Sequence, residues 1–289
     1  MNLRTYHCEQ YASVGAFLDT VESWGRETFP QAHGADSSLT NGEEFAGPPL
    51  FDAIHDMRTC TGHVAETITI VEALVAELTE RMPMGTDYRR TRTWGPSGSA
   101  INPHRVLRGQ LRTAWRKTQR SPQLTDQGVL TLCLPASYPG VTGDNTILWT
   151  MATTIALAHA LERQGRRVEL WSLAACRNAF GGAASPTDFL AAIRLKAADA
   201  PWSLQEAVLP LSRAWLRRLH FRLLEHAGVK DTGHGHALGQ ADWEALCRAY
   251  LAEQGIPTDT VIFGPSVDHG IAHQASALRW LHTAITPED

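Results

Sequence analysis

From residue 126 onward, short β-branched and aliphatic runs alternate with longer stretches of helical periodicity, and this alternation restricts the fold more than any other feature of the chain. Residues 128–134 (GVLTLCL), 167–174 (RVELWSLA), 188–196 (DFLAAIRLK) and 260–263 have strand length and composition. Between the first two runs, Asp144 or Asn145 caps a helix whose apolar positions are Ile147, Met151, Ile155, Ala158 and Leu161, and Gly165 stops it. Ser203 and Glu206 form a capping box, Pro210 breaks the helix it opens, and a further helix runs to His226. Residues 242–253 form another helix, and a final one is expected over 267–285. Strands alternating with helices specify an α/β fold: a mostly parallel sheet with helices on both faces.

The N-terminal part reads differently. Residues 1–60 show little periodicity, and 34–49 (GADSSLTNGEEFAGPP) are loop-like. A helix is predicted over 62–81, where Val64, Ile68, Val71, Leu74, Val75 and Leu78 recur at steps of three and four. The segment 88–120 opens in turn chemistry and is predicted to become helical after Asn102-Pro103, an N-cap followed by proline at the first helical position. On that helix Arg105, Arg108, Arg112 and Arg116 would form one stripe. The expected organisation is therefore an acidic, mainly helical region over 1–84, a basic loop-helix segment over 85–125, and an α/β domain over 126–289.

Charge is segregated along the chain. Residues 1–80 hold 13 acids and 3 bases, whereas residues 81–120 hold 10 bases and 1 acid. Either the two blocks pair, within the chain or between subunits, or the basic block binds phosphates with Trp94 and Trp115 available to stack. Five cysteines, Cys8, Cys60, Cys133, Cys176 and Cys247, are scattered singly, as expected of reduced thiols in a cytoplasmic protein. The N-terminus has no signal-peptide pattern, and no apolar run reaches the ~18–20 residues of a membrane span.

The strand 128–134, the unit 156–174 (ALAHALERQGRRVELWSLA) and 189–196 (FLAAIRLK), with Trp94-Gly95, Gly98, Asn102-Pro103, Arg105 and Gly109 in the basic segment, resemble diverged von Willebrand factor A-like domains. They resemble in particular an uncharacterised group of phage and bacterial proteins. The resemblance implies a Rossmann-like sheet and a role in protein interaction. Metal-binding members place D-x-S-x-S after the first strand. Here Leu134-Pro135-Ala136-Ser137-Tyr138 offers no carboxylate, so the resemblance carries no metal site across, and no cofactor is expected.

Open α/β sheets bind ligands at the carboxyl ends of their strands. That rule selects the loops 135–145, 175–183, 197–203 and 264–269, with Ser137, Asp144, Asp199, Asp268 and His269 as pocket candidates beside Tyr138, Asn145, Cys176, Arg177, Asn178 and Ser266. Most of these also suit helix caps and turns. His269 and His273 would lie one turn apart on the last helix, together with Trp280, and two further histidines occupy the glycine loop 233–239. There is no G-x-S-x-G elbow, Walker A sequence or G-x-G-x-x-G fingerprint. Three readings follow: a non-enzymatic protein-interaction module, self-associating or binding another protein; a nucleic-acid-binding protein using the helix 103–120; and a hydrolase with its site at the strand ends.

Overall fold

Two separate sheets organise the computed structural model, which describes residues 5–29, 36–81, 88–95, 100–110, 114–122, 128–140, 142–177, 187–229 and 237–285. In chain order the elements are β1 (Thr5–Tyr11), α1 (Val14–Ser23), α2 (Ser37–Thr40), α3 (Glu43–Ala46), α4 (Leu50–Thr59) and α5 (His63–Arg81). Next come β2 (Tyr88–Gly95), β3 (Ala100–Ile101), α6 (Pro103–Leu107), β4 (Trp115–Pro122), β5 (Leu130–Pro135), α7 (Asp144–Arg163), β6 (Val168–Cys176) and β7 (Thr187–Lys196). The chain continues through α8 (Leu204–Ala207), α9 (His220–His226), α10 (Gln240–Glu253), β8 (Val261–Phe263) and α11 (Gln274–Ile285).

The main sheet has the order β1-β7-β6-β5-β8. Strands β6, β5 and β8 run parallel, β7 is antiparallel to β6, and β1 is parallel to β7. The sheet is thus mixed but mostly parallel, with helices on both faces. Alternation along the strands produces this layering. Phe189, Ala191, Ile193 and Leu195 of β7 join one core with residues of α1, α4, α5, α7, α9 and α11. Leu190 and Ala192 face the other way, into a smaller core with Trp243, Leu246, Cys247, Tyr250 and Leu251 of α10. Glycine is required where β8 leaves the sheet, because a Cβ on Gly264 would collide with the Thr154 hydroxyl and lie 3.1 Å from the Cys133 carbonyl oxygen.

Three sequence expectations change. Residues 5–11 form an edge strand of the main sheet, not part of a mainly helical region; Tyr6 and Cys8 are half-buried and Gln10 is exposed, so the period-2 signal is weak. The helix expected over 103–120 stops at Leu107. Asn102 caps it, its side chain accepting from the amides of His104 (3.0 Å) and Arg105 (3.3 Å), but Gly109 turns the chain at φ 70°. The chain then returns as β4, which pairs antiparallel with β2 and β3 in the second sheet. Likewise the helix expected over 267–285 divides into a 3-10 turn (Val267–His269) and α11, with Gly270 at φ 61° between them. His269 and His273 therefore do not occupy successive turns of one helix.

A buried polar network ties the loop after α1 to the body. The ion pair between Arg222 and Glu225 (3.3 Å) has both side chains fully buried. Glu225 accepts from the Ser37 hydroxyl (2.9 Å), the Ser38 amide (2.8 Å) and the Ser38 hydroxyl (2.6 Å). Arg222 donates to the carbonyls of Gly25 and Glu27, and Arg218, 1% exposed, donates to those of Ser38, Gly47 and Pro48. Arg218 belongs to a π-helical turn (Trp215–Leu219) that leads directly into α9.

Removing one partner of such a pair leaves the other charge buried and uncompensated. Glu225→Gln is expected to lower unfolding stability by about 3–5 kcal/mol in urea titrations. His220, fully buried against Phe17 and Trp215, gives a second expectation, because burial pushes its imidazole down to about 4. Between its ordinary value of ~6.5 and that lowered value the unfolded chain binds a proton that the folded chain refuses. Stability from this group is therefore complete above that window and falls by about 3 kcal/mol as pH drops through it. Urea midpoints of wild type and His220→Phe, compared across that range, should show a shallower acid slope in the variant.

Candidate functional site

The carboxyl ends of β5 and β8 meet the amino end of α10 around a cleft of about 130 Å³. Its walls include Ser137 and Tyr138 from the loop after β5, Ser266 and Asp268 from the turn after β8, and Gly239, Gln240 and Trp243 from α10. The local folding follows from hydrogen-bond needs. The Ser137 hydroxyl accepts the Ala175 amide at 3.1 Å, fastening the β5 loop to the end of β6. The Trp243 indole donates to the Leu173 carbonyl at 3.1 Å, which seats the first turn of α10 on the sheet. Ser266 caps its own 3-10 turn by accepting the Asp268 amide (3.2 Å), while its backbone N–H donates to His269 Nδ1 (3.1 Å). This reciprocal pattern is a capping arrangement. Arg177, after β6, pairs with Asp242 in the first turn of α10.

The expected grouping of strand-end residues is only partly realised. Ser137 and Asp268 line this one cleft, and His269 sits next to it, exposed, with its ring held by Ser266. Asp144 lies instead in a second cavity of about 220 Å³, between α5, α7 and residues 211–217, where it pairs with Arg213. Asp199 is at the opposite edge of the sheet. Because β7 is antiparallel to β6, its carboxyl end, Lys196, stands beside Leu170 at the start of β6. Hydrophobic pattern alone does not encode strand direction, so the strand-end rule places the loop 197–203 at the wrong edge. Asn178 and the histidines of the 233–239 loop lie outside the described residues. Among the described residues no group of three or more His, Cys, Asp or Glu could hold a metal ion.

The second sheet is the other candidate. The arginine stripe expected on a helix does not exist as such. Arg105 is in α6, Arg108 is exposed at its C-cap, Arg116 is in β4, and Arg112 lies outside the described residues. The strand register concentrates the bases in another way, setting Trp94 opposite Arg116, Arg90 opposite Arg120 and Thr93 opposite Lys117. Four large hydrophobic residues are exposed among those described, and three belong to this segment: Leu107 (84%), Ile101 (48%) and Trp115 (36%). The fourth is Phe45 (37%), flanked by exposed Glu43 and Glu44. Sequence reasoning identified Trp115 but missed Leu107 and Ile101, which a helical reading would not have placed on one exposed unit.

A family model described as a domain of unknown function (DUF7192) matches residues 4–283. The chain belongs to that family. The matched span takes in the residues of both sheets. No curated protein and no solved structure matches the chain. No described helix is long and apolar enough to cross a membrane.

Proposed function

We propose that the chain is a non-catalytic protein-interaction module, von Willebrand factor A-like in its main sheet, which docks head to tail on a second copy of itself. The von Willebrand factor A-like part of this reading is supported by where the resembling residues fall. Those from residue 128 onward occupy β5, the α7–β6 unit and β7, which are neighbours in one sheet, whereas those of the basic segment fall in β2 and α6 outside it. The loop that follows β5 supplies a serine and a tyrosine where a metal-binding member would need a carboxylate.

The observation that carries the docking reading is the pairing of exposed apolar side chains with opposite charge. Leu107, Ile101 and Trp115 stand in the block of 10 bases and 1 acid, and Phe45 stands in the block of 13 acids and 3 bases. Apolar anchors flanked in sequence by charge of one sign suit an interface whose partner carries the other sign, and Phe45, whose ring is stacked by Arg217 from beneath, presents Glu43 and Glu44 beside it. Within the acidic block, the single Arg58 serves both Asp19 and Glu22 (2.7 Å each), and Glu27, Glu43, Glu44, Asp52 and Glu72 are exposed. Two different patches meeting across copies make a heterologous contact, which propagates as a ring or a filament. The aliphatic Leu107 and Ile101 favour a protein occupant over a nucleic acid, since they offer no face on which a base stacks.

Light scattering on a sizing column, at rising protein concentration in low and in high salt, tests this. Mass should increase with concentration in low salt and return to one chain in high salt, because the steering charges are then screened. Leu107→Asp should remain a single chain throughout while unfolding at the wild-type midpoint, since its side chain is mostly exposed. A wild-type protein of one-chain mass under all conditions would refute self-docking. Nucleic acid that co-purifies with a one-chain protein and leaves in high salt would refute it too and assign the basic sheet to phosphate binding.

A further inference from the structure

We propose that the cavity between α5, α7 and residues 211–217 binds a linear aliphatic monocarboxylate of about six carbons, with its carboxylate on Arg217. Much of the wall is aliphatic: Ile70 from α5, Ile147 and Leu148 from α7, and Leu211 and Leu216. Ile70 and Leu148 pack against the main core yet remain only half-buried, so part of their surface is left for something else to cover. A concave space walled by such side chains suits a hydrocarbon chain. The cavity volume of about 220 Å³ is the liquid share of roughly seven water molecules, which sets the length of the chain.

Charge supplies the second, independent observation. Asp144, Arg213 and Arg217 are the charged residues of the lining. Asp144 and Arg213 pair with each other, and Arg213 also donates to the Glu44 carbonyl. Arg217 is not matched in this way. It is half-buried, donates to the Phe45 carbonyl at 2.7 Å and lies over that residue's ring, and no carboxylate among the described residues forms an ion pair with it. Burial lowers its pKa, Asp144 raises it in part and Arg213 lowers it further, so its guanidinium is partly desolvated and within electrostatic reach of both other charges.

Two guanidiniums against one carboxylate leave a single positive charge uncompensated, and that selects a monoanion over a dianion such as phosphate. The fork of N–H donors on Arg217 matches a planar carboxylate, which it can hold through two parallel hydrogen bonds. The tail needs no polar group. The Thr67 hydroxyl donates to the Val64 carbonyl at 2.8 Å, and the Ser212 hydroxyl accepts the Ala214 amide at 3.2 Å, so both serve their own turns. One charged end and an otherwise aliphatic body is therefore the chemistry that this lining complements.

Titration of the full chain by heteronuclear NMR with hexanoate, 1-hexanol, acetate and inorganic phosphate tests the assignment. Hexanoate should shift the amides of residues 145–148 and 211–217 with an affinity about tenfold or more above the other three, because hexanol lacks the charge, acetate the chain, and phosphate the chain and the single charge. Arg217→Gln should weaken hexanoate about tenfold or more and leave hexanol as it was, a split that a general loosening of the fold would not produce. Leu148→Phe, at a half-buried position, should fill the cavity and abolish hexanoate binding at the wild-type unfolding midpoint, and it decides the matter if Arg217→Gln does not fold. The proposal is overturned if hexanoate does not bind at millimolar concentration, if any of the other three binds as tightly, if the shifts fall elsewhere, or if either folded variant binds hexanoate like wild type.

Discussion

The ion pair between Arg222 and Glu225, with both side chains fully buried, is the constraint on which the rest of the structure depends. Two charges taken out of solvent are tolerated when hydrogen bonds replace the water they lose. Here the partners are the hydroxyls and amide of Ser37 and Ser38 and the carbonyls of Gly25 and Glu27, while the Arg222 Nε has none. Arg218 continues the same pattern to Gly47 and Pro48. A segment with little apolar content of its own is thereby held against the helices beneath the main sheet. From there the order reaches the surface: Arg213 and Arg217 donate to the carbonyls of Glu44 and Phe45, and the Arg217 guanidinium lies 4.1 Å from the Phe45 ring centroid. The exposed Glu43–Phe45 patch is presented by the core.

The two sheets divide the work physically. The main sheet is covered on both faces, with residues such as Leu132, Leu134, Leu170, Leu173 and Ile193 fully buried. The second sheet pairs only with itself and carries exposed apolar side chains in a strongly basic segment. A sheet so composed would be a liability if it served no contact. Its residues lie within the span matched by the family model.

Much of the main sheet was legible because burial on both faces imposes long apolar runs on β5, β6 and β7, and because Ser203, Pro210 and Gly255 mark helix boundaries by local chemistry. Strand β1 was not legible, since an edge position leaves His7 and Gln10 exposed and Tyr6, Cys8 and Glu9 only half-buried. Strand direction was not legible either, and it moved Asp199 away from Ser137 and Asp268. The basic segment misled for a third reason. Arginine spacing of three and four suggests a helix, but Gly109 in the left-handed region ends it, and the run that follows pairs as a strand. Of the cleft, sequence reasoning found Ser137, Tyr138, Ser266 and Asp268 through the strand-end rule, but not the amino end of α10, which reaches them only through tertiary packing on Leu173.

In the proposed head-to-tail contact, the surface that presents Glu43, Glu44 and Phe45 meets the basic sheet of another copy. Zero-length carbodiimide cross-linking of an equimolar mixture of light and heavy-isotope chains measures this directly, because Lys117 is the only lysine between residues 88 and 120. Cross-linked peptides joining Lys117 to Glu43, Glu44 or Asp52 in mixed light-heavy pairs, lost in high salt, are the predicted result. Links from Lys117 to acids of its own chain only, unchanged by dilution, would contradict it and show the two charge blocks pairing within one molecule.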